Sequence, residues 1–94
     1  MKAYLIKAEM FANGAPCPHA GQWIETFDHD AEGGRGYGTF TSDAWKAMRF
    51  NSHAEALMFW HKQSSVRPLR ADGEPNRPLT SLTCSIEPYW QLLV

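Results

Sequence analysis

Apolar residues recur at every second position over Ala3–Met10: Tyr4, Ile6, Ala8 and Met10 point one way, Lys7 and Glu9 the other. A period of two predicts a half-buried strand. Residues 11–21 then carry Asn13-Gly14, Pro16, Pro18 and Gly21, which is loop chemistry. Gln22–Phe27 predicts a second strand, with Trp23, Glu25 and Phe27 on one side and Ile24 and Thr26 on the other. A Gly-rich acidic turn, residues 28–38, leads to a third strand over Tyr37–Thr41, which makes a hairpin with a long tip.

Thr41, Ser42 and Asp43 cap a short helical turn that ends near Lys46, and Ala47–Phe50 reads as a brief strand. Ser52-His53-Ala54-Glu55 is a capping box, in which hydroxyl and carboxylate satisfy orphan N–H groups reciprocally. The helix it opens is expected to run to Gln63. Ala56, Leu57 and Trp60 share one face and Glu55 and Lys62 the other, with Met58 and Phe59 flanking the polar strip. A Pro- and Arg-rich loop follows over residues 64–78, with a turn at Asp72-Gly73. In Thr80–Glu87, Leu82, Cys84 and Ile86 alternate with polar residues, the cleanest strand in the chain. Pro88 is expected to end it, leaving an apolar tail from Tyr89 to Val94.

Strand, strand, strand, helix, strand without βαβ alternation predicts an α+β fold: a small antiparallel sheet of three to five strands with one main helix packed on one face. The 94 residues make a single domain, 1–94, with 44% hydrophobic residues for one core. No stretch is long and apolar enough to span a bilayer, so no membrane association is expected. Met1–Met10 has no signal-peptide core, which makes the expected location cytoplasmic and Cys17 and Cys84 reduced.

Charge is unevenly spread. Glu25, Asp28, Asp30, Glu32 and Asp43 face Arg35 alone, whereas Lys46, Arg49, Lys62, Arg67, Arg70 and Arg77 outnumber Glu55, Asp72 and Glu74. The expectation is an acidic end and a basic loop. A net charge of −1 and a pI near 6.4 oppose direct nucleic-acid binding.

Candidate chemistry is sparse. Asp28, Asp30, Glu32 and Gly33 imitate the first half of a calcium loop, but the twelfth position is Thr39, which lacks the bidentate carboxylate. The glycines of residues 33–38 fit neither dinucleotide nor phosphate-loop spacing and read as a hairpin tip with positive φ. Cys17-Pro18-His19 offers too few zinc ligands, and His53 and His61 are not at the i, i+4 spacing of a helical metal site. No nucleophile elbow occurs. No metal, cofactor or catalytic residue is therefore expected, and the chain reads as a non-enzymatic interaction protein.

The candidate contact residues are Arg35 and Tyr37 at the tip, Met58 and Phe59 on the helix, and Arg67, Arg70 and Arg77 in the basic loop. Trp45 and Trp90 join them as surface tryptophans, with Trp60 and Trp23 assigned to the interior. The expected partner is a protein or nucleoprotein complex. A second copy of the chain is a further candidate, because the apolar tail needs covering. A nucleic-acid module using the 67–77 loop is the alternative, and a small enzyme or metal-binding domain the third.

Trp23–Phe40, Ala47–Trp60 and the run Arg70-Ala71-Asp72-Gly73-Glu74-Pro75-Asn76-Arg77-Pro78-Leu79-Thr80 together resemble small uncharacterised proteins of proteobacteria and their phages. Small phage-encoded α+β proteins often bind and block host machinery, anti-CRISPR proteins among them. The resemblance therefore implies a context rather than a chemistry: it makes an inhibitory binder a named hypothesis and carries no residue roles.

Overall fold

In a computed structural model that describes residues 2–90, four antiparallel strands form one sheet in the order β3-β2-β1-β4. The strands are β1 (Lys2–Phe11), β2 (Trp23–Asp28), β3 (Tyr37–Thr41) and β4 (Leu82–Trp90). Between β2 and β3 lies α1 (Ala31–Gly34), a single turn distorted by left-handed Glu32 and Gly33. The main helix is α2 (His53–Trp60), and a 3-10 turn, η1 (Pro78–Ser81), leads into β4. The expected α+β architecture is the one observed.

The core lies between the sheet and α2. Ile6, Ala8, Ile24, Ala56, Leu79 and Leu82 are buried there, with Phe27, Phe50, Phe59 and Trp60 packed against them. Two β-bulges decide which side chains reach it. The β2–β3 register shifts between Ile24 and Thr26, so Ile24 and Phe27 both face the core. Simple alternation had placed them on opposite sides, and an extra residue in one strand inverts everything beyond it. The β1–β4 register shifts likewise between Ala8 and Met10, and Met10 lies exposed.

β2 meets β1 at Lys7 opposite Trp23 and then peels away. The 48–50 segment fills the gap: Tyr4 and Phe50 exchange both backbone hydrogen bonds, and the Met48 N–H donates to the Ile24 carbonyl. That exchange also explains Pro88, which does not end the strand. Tyr4 faces Pro88 across β4, yet both polar groups of Tyr4 point to Phe50. The missing N–H of Pro88 therefore falls on the open edge, where proline costs no ladder bond. Tyr89 and Trp90 continue β4, and the rest of the expected tail, residues 91–94, lies outside the described residues.

α2 starts as expected. The Glu55 N–H donates to Ser52 Oγ at 3.1 Å, and Glu55 Oε2 accepts from the Asn51 N–H at 2.9 Å. The helix ends at Trp60, short of Gln63, and presents Ala56, Phe59 and Trp60 to the core, while Leu57 is 40% exposed. The core stripe is thus turned from the expected Ala56–Leu57–Trp60. The indole N–H of Trp60 fixes it, lying within hydrogen-bond reach of the Leu79 and Leu82 carbonyls.

Candidate functional site

The acidic turn and the basic loop, expected at separate ends, pack against each other. Asp30 Oδ1 accepts from Ser64 Oγ at 2.9 Å and from the Ser65 N–H at 2.7 Å, and Oδ2 accepts from Ser65 Oγ at 2.6 Å. These bonds, the Ser65 hydroxyl first, hold the Asp30 carboxyl down at about 2. Asp30 is thus committed to the loop rather than to a cation, and among the described residues no cluster of metal-ligating side chains occurs.

Asn76 completes the junction. Its Nδ2 donates to the Gly34 carbonyl at 2.7 Å and to the Arg67 carbonyl at 2.9 Å. Ser64 Oγ accepts from the Arg67 N–H at 3.2 Å. Both backbone polar groups of Arg67 are therefore held. Gly34 has a φ of +94°, and a Cβ there would lie 2.6 Å from Arg67 Cβ. Glycine is needed for the close approach as much as for the dihedral. Gly33, Gly34 and Gly36 take positive φ, as read from sequence, whereas Gly38 is extended in β3, and the tip is clamped rather than free.

The junction gathers four exposed arginines from segments more than thirty residues apart in sequence. Arg35, Arg67 and Arg70 line one recess of about 220 Å³ with Gly34 and Asn76. Arg35, Arg70 and Arg77 line an adjoining recess of about 320 Å³ with Pro75 and Asn76. Arg70 forks onto Asp72, with Nη2 at 3.0 Å from Oδ2 and Nε at 3.3 Å from Oδ1. Arg35, Arg67 and Arg77 form no ion pair among the described residues. Like charges held near one another raise the local potential and favour a bound anion. A guanidinium suits a carboxylate or phosphate because its donors form a planar fork.

Tyr37 stands beside Arg35, 63% exposed, on the edge strand β3. The other candidate residues lie elsewhere. Met58 is 73% exposed and lines a groove of about 380 Å³ with Phe50, Glu55, Phe59 and Lys62. Phe59 is half-buried and structural: its ring meets Phe50 and His29, and its carbonyl lies 2.9 Å from His29 Nε2. Trp45 lies edge-on to Tyr89 under the Arg49 guanidinium, while Trp90 lies under Lys2 Nζ. Tyr89 and Trp90 are consecutive in β4 and so point to opposite faces. The two surface tryptophans therefore share no patch. They also sit at the Lys2 end of the β1–β4 ladder, whereas Ala12 and Ser81 beside the arginines mark the Phe11 end.

Two buried groups have structural roles. His29 packs edge-on against Phe27 and Phe59, and its burial pushes its pKa below 6.5. Burial pushes the Cys84 thiol up to about 12, so it is no nucleophile. No family model, curated protein or solved structure matches the chain. No helix among the described residues is long and apolar enough to cross a membrane.

Proposed function

We propose that the chain is a non-enzymatic binding protein that docks Arg35, Arg67, Arg70 and Arg77 onto a carboxylate-rich face of a protein or nucleoprotein complex. The observation that carries this reading is the Asn76 clamp, which fixes Arg67 and the residue before Arg35 through one side chain. Arginines held in advance lose less freedom on docking. Covering such a face would make the chain an inhibitor, the hypothesis that the phage resemblance brought in.

Tyr37 beside Arg35 favours a second reading, single-stranded nucleic acid stacked on the tyrosine with its phosphates on the arginines. Against it stands the single strongly exposed ring beside the arginines, Tyr37, where a strand stacks successive bases on several rings.

Retention on immobilised poly-glutamate and on single-stranded DNA, side by side at physiological salt, tests the proposal. Retention on poly-glutamate that is lost in the Arg35→Gln, Arg67→Gln, Arg77→Gln triple variant is the expected result. Preference for DNA, with a steep salt dependence, would replace it by the nucleic-acid reading, and retention on neither would overturn both.

A further inference from the structure

Arg35 also lines a third, different recess. A groove of about 310 Å³ runs between the β2–β3 hairpin, the Cys17–His19 loop and η1. Phe27 and Phe40 wall it, and Cys17, Pro78, Leu79 and Leu82 are its buried members. Its walls are fixed. Phe40 is stacked under the His19 ring, with centroids 4.2 Å apart and planes 12° from parallel. A Cβ on Gly38 would lie 2.6 Å from Phe27 Cδ1, and one on Gly36 2.5 Å from Cζ, so two glycines let that ring lie along the backbone. Phe11, Pro18, His19 and Arg35 are exposed along it, and Arg35 has no ion-pair partner among the described residues.

A carboxylate on the arginines leaves this apolar recess open next to it. Its volume lies at the lower limit for ligand pockets, enough for one ring rather than an extended ligand. Walls of phenylalanine, Phe11, Phe27 and Phe40, favour an aromatic guest through stacked and edge-on contacts. The free guanidiniums beside it select negative charge next to that guest.

Resting on the proposed function, we infer that the partner presents an acidic peptide segment containing one aromatic side chain. The ring seats between Phe11, Phe27 and Phe40, and the flanking carboxylates meet Arg35, Arg67 and Arg77. The groove acts as the anchor that selects among acidic surfaces, a division common where one buried aromatic carries most of an interface.

Three blocked synthetic peptides, titrated into the full labelled chain and followed by amide chemical shifts, test this. Their sequences are Asp-Glu-Trp-Asp-Glu, Asp-Glu-Ala-Asp-Glu and Ser-Gly-Trp-Gly-Ser. The first is expected to bind about tenfold more tightly than either of the others, shifting amides of Phe11, Phe27 and Phe40. Phe11→Ala, at an exposed position, is expected to reduce that advantage without weakening the alanine peptide. Equal binding of the two acidic peptides would overturn the aromatic anchor while leaving the arginine cluster as the docking face. Equal binding of the two tryptophan peptides would overturn the coupling of ring and charge. Binding of none of them would overturn this inference together with the proposed function.

Discussion

Asp30, Asn76 and Gly34 are small residues with large consequences, because each ties the turn after β2 to the loop before β4. Gly34→Ala places a methyl against Arg67 at a left-handed dihedral. The expected loss is at least about 1–2 kcal/mol in denaturant unfolding, together with lost anion binding. Sequence reading named the arginines but not their organisers. Asn76 looked like an ordinary loop residue, since its partners Gly34 and Arg67 come together only in the folded chain. Asp30 was legible as an acid with a possible ligand role, and its capture by Ser64 and Ser65 has no local signature. His29 gives a pH prediction. Its folded pKa lies below the unfolded 6.5 because burial disfavours its charged form. The stability gained from a neutral His29 is fully present above 6.5 and is lost as the pH falls through the folded value. Urea midpoints should therefore decline from about pH 7.5 to about pH 5, and His29→Phe should flatten that decline. A second loss, from Asp30, should appear as the pH falls from 3.8 towards about 2.

At the scale of elements, the α2 start was readable because a capping box is local chemistry. Ser52→Ala is expected to cost about 1 kcal/mol, read as a lower denaturation midpoint with an unchanged slope. The strands were readable in place but not in facing. The bulges near Glu25 and Glu9 move Phe27 to the core face and Met10 out of it. Both bulges depend on cross-strand register, which periodicity within one strand does not encode. Pro88 misled for a related reason: its effect depends on which edge its nitrogen meets, and Tyr4 decides that by bonding to Phe50 instead. Pro88→Ala should accordingly change stability by less than about 0.5 kcal/mol in the same unfolding assay. Leu79→Ala, at a fully buried position where η1 meets the core, should cost about 2–5 kcal/mol.

The molecule measures 49 × 26 × 19 Å, and its exposed candidate residues other than Met58 divide between the two ends of the β1–β4 ladder. β4 spans nine residues from Leu82 to Trp90, roughly 26 Å of strand at about 3.3 Å per step. One end carries the arginines with the aromatic groove, and the other carries Trp45, Tyr89 and Trp90 under Arg49 and Lys2. A partner of ordinary size that engages the first end leaves the second free. The two can therefore be told apart by where a polyanion lands. The most direct test of the central claim is an amide chemical-shift map of the labelled full chain during titration with poly-glutamate. Perturbations confined to Gly34–Tyr37 and Arg67–Arg77, abolished by the triple arginine variant, are the predicted result. Perturbations centred on Trp45, Tyr89 and Trp90, or on Met58 and Lys62, would contradict it, as would a spectrum that does not change.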